Sequence, residues 1–416
     1  PISVGIVGCG QMGSGLAHTI GNIKGMKISA IADVDPEKGI STLVQMGHKK
    51  EDIVVTDSPS AAEDAIKNNQ PLVTSNPFMM AALDGLEANV EATGVPDVGA
   101  KFAYESIMNY KPVIMLNAEA DITVGAYLNS LARKVGSIYT VASGDEPGVC
   151  KMLFEQATLM GFEVVTLGKG KNNVIDYYAT IESCREEAES KDMNPKMLAS
   201  FKDGTKTMVE MAAVSNATGL IPDVAGMHGP KVELKELSKV FIPKSDGGIF
   251  SGKGRVDFST GKIAPGVFAI VYSEDKRIQK DMKFITKENG PYYLQFRPYH
   301  LCDIETPQSI AEAVLLDEVT VTAETMHSEV VCKAKRDMNP GEILGGIGGT
   351  DWYGYIMTYA DSCVAGAVPI GIGQGGKVIS PIKKGDIITK DKVALNRDSF
   401  VYKLRELQNS LIGDGK

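Results

Sequence analysis

The chain has 416 residues, 43% hydrophobic and 23% charged, with a formal net charge of −9. That composition excludes global disorder and a collagen-like repeat, and an acidic balance without a basic stripe argues against nucleic acid as a partner. The length predicts more than one domain.

The run Ile2 to Val7 predicts a strand, and Gly8-Cys9-Gly10-Gln11-Met12-Gly13 follows at once. Apolar residues then recur at helical spacing through Met12, Leu16, Ala17 and Ile20. Strand, G-x-G-x-x-G and helix in that order make a dinucleotide-binding turn. Gly8 permits the tight turn, Gly10 lets a pyrophosphate approach the backbone, and Gly13 packs the helix on the strand. The helix start at Gln11 and Met12 offers free N–H groups to phosphate. A second strand, Lys27 to Ala32, ends in Asp33, placed about twenty residues on to bind a ribose 2′-hydroxyl. Asp35 is a rival for that role and reads better as a turn residue before Pro36.

Asp52 to Thr56, Asn89 to Thr93, Pro112 to Leu116 and Ile138 to Ala142 read as further strands, and Ser60 to Lys67 as a helix. The alternation predicts a doubly wound parallel sheet. Asp33, Thr93, Glu119 and Asp145 all fall at predicted strand ends, where such sheets hold their ligands. Thr93, Gly94 and Asn117 are expected beside a cofactor. The Asp145-Glu146 pair could ligate a hard cation and reads better as an acidic loop.

Beyond residue 161 the pattern is less regular. Phe162 to Leu167 predicts a strand running into Gly168-Lys169-Gly170-Lys171-Asn172, which suits either a hairpin-like turn with solvated lysines or two lysines approaching a substrate. Thr205 to Thr218 predicts a largely buried helix, with Asp203 capping its start and Gly219 ending it. Asp203, Lys206 and Glu210 share one face of it. Burying charge is costly unless it is paired or faces a polar cavity, so this face is a candidate site. Arg297-Pro298-Tyr299-His300 is a polar cluster to which no role is assigned. Ala334 to Leu344 is weakly echoed by Ser380 to Ile388, which suits two related β-hairpins. The spacing of Phe400, Leu404, Leu407 and Leu411 predicts a closing amphipathic helix.

The six cysteines form no C-x-x-C and the five histidines no H-E-x-x-H, so neither a disulfide framework nor a zinc ribbon is expected and no metal ligand is assigned. No apolar run suits a membrane span, and the first strand begins at residue 2, so a cytoplasmic setting without a signal peptide is expected.

Along nearly its whole length the chain resembles the homoserine dehydrogenase-like proteins that carry a carboxy-terminal SAF domain. The segments that carry the resemblance are VGIVGCGQMGSG, VEATGVPDVG, LNAEADITVG, SGDEPG, LGKGK, MNPKMLASFKDGTKTMVEMAAVSNATGL and ISPIKKGDIITKDKV. That group includes proteins similar in activity to 1-deoxy-D-xylulose 5-phosphate reductoisomerase, and D-apionate oxidoisomerases. The resemblance implies an α/β protein in three parts: a Rossmann-type domain over residues 1–148, a central α+β catalytic and dimerisation domain over 149–325, and a β-rich SAF-like domain over 326–416. It also implies nicotinamide redox chemistry, often with a shift of the carbon skeleton, and a homodimer or higher homo-oligomer. True homoserine dehydrogenases carry a lysine directly after the asparagine that Asn117 matches; here Ala118-Glu119 follows instead.

The expectation is therefore an NAD(P)-dependent oxidoreductase, an oxidoisomerase or reductoisomerase, acting on a small polyhydroxylated sugar acid or sugar phosphate, with the unphosphorylated acid favoured. NAD is favoured over NADP, because Asp33 lies where a 2′-phosphate would sit and Val34 to Lys38 contains no Arg. Lys206 or Lys171 would move the proton, Asp203 would orient the lysine, and Lys169 and Glu119 would stabilise an intermediate carbonyl. The rivals are a simple homoserine-type dehydrogenase and a non-catalytic NAD(H)-sensing or assembly protein.

Overall fold

The computed structural model describes residues 1–191 and 193–412. Contacts divide the chain into two compact units. The first comprises Pro1–Asp145, Leu301–Glu324 and Asp398–Leu411; the second includes Glu146–His300 and Thr325–Arg397. The sequence reading instead runs through three consecutive domains, with 301–324 in the second and 398–411 in the third.

In the first unit seven strands pair parallel throughout: β1 (Ile2–Val7), β2 (Met26–Ala32), β3 (Val54–Val55), β4 (Leu72–Thr74), β5 (Ala88–Glu91), β6 (Val113–Met115) and β7 (Tyr139–Val141). Their order, β3-β4-β2-β1-β5-β6-β7, reverses between β1 and β5, as in the Rossmann arrangement. The connections are helices α1 (Gln11–Gly21), α2 (Pro36–Gln45), α3 (Pro59–Lys67), α4 (Pro77–Ala81), α5 (Pro96–Met108) and α6 (Ala118–Val135). A sheet covered on both faces needs strands apolar on both, and every residue of β1 is buried. Ile6, Leu16, Ile20, Ile31, Val73, Val90 and Ile114 share its core, each worth about 1.5–3 kcal/mol of burial.

Helix starts follow local chemistry. Proline opens α2, α3, α4 and α5, where its missing N–H costs nothing. Asp35, Asn76 and Asn117 accept N–H groups from the first turns of α2, α4 and α6. The strand expected over 52–56 shrinks to Val54–Val55, because Lys50–Asp52 winds into a 3₁₀ turn. Beyond β7, Val141 pairs antiparallel with Val321. The closing helix Phe400–Ile412 buries Val401, Leu404, Arg405 and Gln408. Leu407 and Leu411, expected on that face, are exposed; Arg405 and Gln408 are turned inward by hydrogen bonds to the Thr123 carbonyl.

The second unit is built on a mixed five-stranded sheet of β8 (Glu163–Gly170), β9 (Ile221–Pro222), β10 (Arg255–Ser259), β11 (Val267–Tyr272) and β12 (Tyr292–Arg297), in the order β12-β11-β8-β10-β9. Central β8 runs parallel to β10 and antiparallel to β11. With it are α7 (Glu146–Leu159), α8 (Ile181–Ser190), α9 (Pro195–Lys202), α10 (Thr205–Thr218) and the antiparallel pair β13 (Ser328–Ala334) and β14 (Trp352–Thr358). Helix α10 has the expected bounds, is buried nearly all round, and ends at Gly219 with a φ of 81°. The two echoing segments are not separate hairpins: they pair with each other about a local two-fold. Met338 bridges Ile382, and the Gly341 N–H to Val378 carbonyl bond (2.8 Å) is matched by Gly385 N–H to Ala334 (2.9 Å).

Candidate active site

In the first unit the glycine turn closes the carboxyl end of β1. Gly8 has a φ of 88°, and a Cβ there would lie 2.8 Å from the Ala92 backbone. A Cβ on Gly13 would lie 1.9 Å from the Gly8 carbonyl oxygen, whereas one on Gly10 would meet nothing within 4 Å. Gly8 and Gly13 are thus required by contact, and Gly10 leaves an open approach. Helix α1 has no capping side chain and no acid in its first turn, so the N–H groups at Gln11 and Met12 open onto that approach. Asp33 accepts the Cys9 N–H at 2.7 Å and the Asp35 N–H at 2.9 Å, which ties the turn to the loop after β2. Asp35 caps α2. A cavity of about 380 Å³ lined by Cys9, Ser14, Asp35, Lys38 and Thr42 adjoins the turn. These residues fit a bound dinucleotide.

At the next strand end lies a residue that spacing alone did not single out. Glu91, the last residue of β5, is fully buried and accepts both the backbone N–H (2.9 Å) and the hydroxyl of Thr93. The Thr93 hydroxyl in turn accepts the Val95 N–H at 3.2 Å. Asn117 caps α6 through Ala120 N–H at 3.1 Å. A Cβ on Gly99 would fall 2.6 Å from Asn117 Nδ2 and 2.9 Å from Glu91 Oε2, so Gly99 makes room for both. Burial pushes the Glu91 carboxyl up to about 7, and the charge of Glu119 acts in the same sense. Thr93, Gly94 and Asn117 thus belong to one structured corner. Glu119 is buried in the first turn of α6, where the helix dipole favours a carboxylate. The available signal for Glu91 was an acid closing an otherwise uncharged central strand.

In the second unit the Gly-Lys-Gly-Lys segment is not a turn. Strand β8 continues to Gly170, and Lys171 N–H still pairs with the Ser259 carbonyl at 2.8 Å. Its glycines answer to neighbours: a Cβ on Gly168 would lie 2.4 Å from the Phe268 ring, and one on Gly170 2.3 Å from Ala264 N. Lys169 and Lys171, two apart in extended chain, point the same way and are both buried. Lys169 Nζ bridges Glu146, the first residue of α7, and Glu210 of α10. Burial alone would lower the Lys169 pKa, but the two carboxylates outweigh it and hold the ammonium charged. Burial raises Glu210, with the charge of Glu146 adding to the effect. Lys171 has no such partner. It donates to Asn173 Oδ1 (2.9 Å) and the Phe201 carbonyl (2.7 Å), and burial, then the charge of Lys169, brings it down to about 8. Lys206 lies one turn before Glu210 and lowers that carboxyl's pKa. His300, with no expected role, reaches Glu146 Oε1 at 3.3 Å.

Asp203 is fully enclosed. Its carboxylate lies 2.8 Å from Lys335 Nζ and accepts the Thr205 N–H at 2.9 Å. Lys335 also donates to the carbonyls of Ala179 and Gly349. Asp203, expected to orient a reacting lysine, thus pairs with Lys335, from the repeat segment, beneath the start of α10, and its charge also reaches Lys171. Among these side chains, Lys169 is a fixed charge and Lys171 is the one brought near neutrality.

All of these side chains of the second unit except Lys335 lie within residues 144–306, which match the family model described as oxidoreductase DRL, catalytic domain. The match covers less than half of the chain. Comparison with curated proteins gives no match. Among solved structures, the chain is similar to a probable dehydrogenase from Thermotoga maritima (10% identity, 78% of this chain and 91% of that one, TM-score 0.42). It is also similar to a putative myo-inositol dehydrogenase from Sinorhizobium meliloti 1021 (12%, 77% and 92%, 0.40). A third similarity is to scyllo-inositol dehydrogenase from Lactobacillus casei with bound NAD(H) and scyllo-inositol (16%, 66% and 67%, 0.33). Among the described residues no helix is long and apolar enough to cross a membrane.

Proposed function

We propose that the chain is a nicotinamide-dependent oxidoreductase acting on a small polyhydroxylated substrate, and that it couples hydride transfer to a shift of the carbon skeleton, as the resemblance to oxidoisomerases and reductoisomerases implies. The observation that carries this reading is Lys171, brought down to about 8 beside the charge-compensated Lys169 inside the segment that matches an oxidoreductase catalytic domain. A bound nicotinamide supplies the hydride acceptor or donor. In the oxidising direction the Lys171 amine takes the proton from the substrate hydroxyl as the hydride leaves the same carbon; in reduction the ammonium returns it. An acid–base group near ambient pH is worth about 10²- to 10⁴-fold in rate. Two of the three Lys171 N–H groups hold Nζ in place, leaving one position for the substrate oxygen. Lys206 adds positive charge suited to a carboxylate or phosphate.

For the cofactor, the Asp33 carboxylate and its neighbours Asp35 and Glu37 favour NAD over NADP; Lys38, 3.8 Å from Asp33, is the single cation of the 34–38 loop. Two like charges about 4 Å apart repel by about 4 kcal/mol at an effective dielectric near 20, less when screened. The test is a panel of sugar acids, sugar phosphates and homoserine with either nicotinamide, following reduced cofactor by absorbance and product skeleton by NMR. NAD-linked turnover of a polyhydroxylated acid or phosphate, faster than that of homoserine, is expected. Homoserine as the best substrate, or NADP bound as tightly as NAD, would overturn the reading.

A further inference from the structure

The loop that follows β8 is fixed by the end of a helix. The last carbonyls of an α-helix have no partner within it, and α9 ends at Lys202. The Lys202 carbonyl takes the Asp176 N–H at 2.9 Å, and the Phe201 carbonyl takes Lys171 Nζ at 2.7 Å. The Thr205 N–H, which would have continued the helix onto Phe201, is held by Asp203 instead, at 2.9 Å. Between the two anchors the chain turns so that the side chain of Asn173 meets the same nitrogen: Lys171 Nζ donates to Asn173 Oδ1 at 2.9 Å.

The two partners are of one kind, and that decides how the amine is aimed. An amide oxygen and a backbone carbonyl only accept, so each takes an N–H of Lys171 whether the side chain carries three hydrogens or two. Cε and these two hydrogens fill three positions of the tetrahedral nitrogen. In the free base the fourth position is the lone pair; in the cation it is the third N–H. Both partners are neutral, so they place the amine without holding its proton as a carboxylate would. Burial acts on that proton first, then the charges of Lys169 on β8, Glu210 of α10 and Asp203 before α10. Each of these is engaged elsewhere. Lys169 pairs with Glu146 and Glu210, which with Asp145 bring carboxylate oxygens within 4.8 Å of one another. Lys206 acts on Glu210, and Asp203 pairs with Lys335. Asp176, on the loop itself, accepts the Tyr178 N–H at 3.1 Å.

We propose that Asn173 is a positioning residue of the reaction: with the Phe201 carbonyl it turns the Lys171 lone pair towards the single position left for the substrate hydroxyl. The role in turnover rests on the oxidoreductase reading; the contact between the two side chains does not. In oxidation the lone pair takes the hydroxyl proton, the C–H electron pair leaves as hydride to the nicotinamide, and the carbon keeps its oxygen as a carbonyl. The ammonium then carries that proton in its fourth position and returns it in reduction. Without the Asn173 oxygen only one hydrogen is fixed. The other competes with the lone pair for that position, and Nζ is held from one side only.

The test uses the full chain with ¹³C-labelled lysine, the Lys171 signals being assigned by their loss in Lys171→Met. Asn173→Asp puts a carboxylate at the same contact, so the pH at which the Lys171 signal moves should rise by about one unit or more, the usual effect of an adjacent opposite charge. Asn173→Ala should not raise it. A Lys171 titration unmoved by Asn173→Asp would overturn the proposal. With a substrate found by the panel, Asn173→Ala should lower kcat by about tenfold, since a misplaced reacting group costs up to about 10²-fold. KM should stay nearly unchanged, and raising the pH should not restore the rate. Asn173→Asp, which keeps an acceptor in place, should reach the wild-type kcat at a pH higher by as much as its titration moved. A wild-type kcat in Asn173→Ala, or a plateau in Asn173→Asp as low as that of Asn173→Ala, would overturn the role. Because the titration needs no substrate, a panel that yields no turnover counts against the oxidoreductase reading and leaves the contact to be judged by the spectrum.

Discussion

Lys169 and Lys171 are two residues apart on one side of one extended segment, yet their surroundings give them opposite chemistry. Two carboxylates fix the first as a cation, while burial and the first lysine's charge bring the second down to about 8. Oxidation needs the Lys171 free base, whose fraction grows as pH rises through about 8, so the oxidative rate should climb through that range and level off above it, and the reductive rate should fall. A pH–rate profile flat across that range would remove Lys171 from the role. Glu91 makes a stability prediction of definite sign. Folded, it keeps its proton up to about 7; an unfolded glutamate loses it near 4.5. Between those values the folded state binds more protons, so stability falls as pH rises. Glu91→Gln should therefore stabilise the protein by about 3 kcal/mol above pH 7 and change little below pH 4.5, by denaturant titration at the two pH values. Equal effects at both would contradict a buried, proton-holding Glu91.

At the scale of elements, the first turn of α1 separates two uses of glycine. Gly13→Ala would place a methyl 1.9 Å from the Gly8 oxygen and force the turn open, whereas Gly10→Ala meets nothing within 4 Å. Gly13→Ala should lower both Tm and NAD affinity. Gly10→Ala should keep Tm and still lose at least tenfold in NAD affinity by calorimetry, roughly 1.4 kcal/mol, because the methyl stands where the pyrophosphate approaches. Unchanged NAD binding by Gly10→Ala would place the phosphates elsewhere. The corner between α9 and α10 makes a second case. Asp203→Ala leaves Lys335 buried without its carboxylate, an expected loss of about 3–5 kcal/mol. Asp203→Ala with Lys335→Met should recover most of it, and a double variant no more stable than the single one would show that the pair is not what holds the corner.

Over the whole molecule, legibility followed the range of the interactions involved. The glycine turn, Asp33 and the alternation of strands and helices are local patterns, and α10 could be bounded from its apolar run and Gly219. The Gly-Lys-Gly-Lys segment was ambiguous because its glycines answer to Phe268 and Ala264, nearly a hundred residues away, rather than to a turn. The ion partner of Asp203 was hidden for the same reason: Lys335 lies far along the chain. The repeat was visible, but not that its two copies pair with each other. His300 offered no local pattern, since the group it approaches, Glu146, starts another element. Mixed sheets and buried ion clusters are set by long-range packing, which spacing does not encode.

The central claim is that this chain moves a hydride between a polyhydroxylated substrate and a nicotinamide, with Lys171 carrying the proton. The most direct measurement is the rate of NAD reduction by the best sugar acid or sugar phosphate of the panel, for the wild-type chain and for Lys171→Met. The account predicts turnover faster than with homoserine in the wild type, and a rate lower by at least about 10²-fold in the variant with NAD affinity unchanged. Homoserine turned over fastest, or Lys171→Met as fast as wild type, would contradict it.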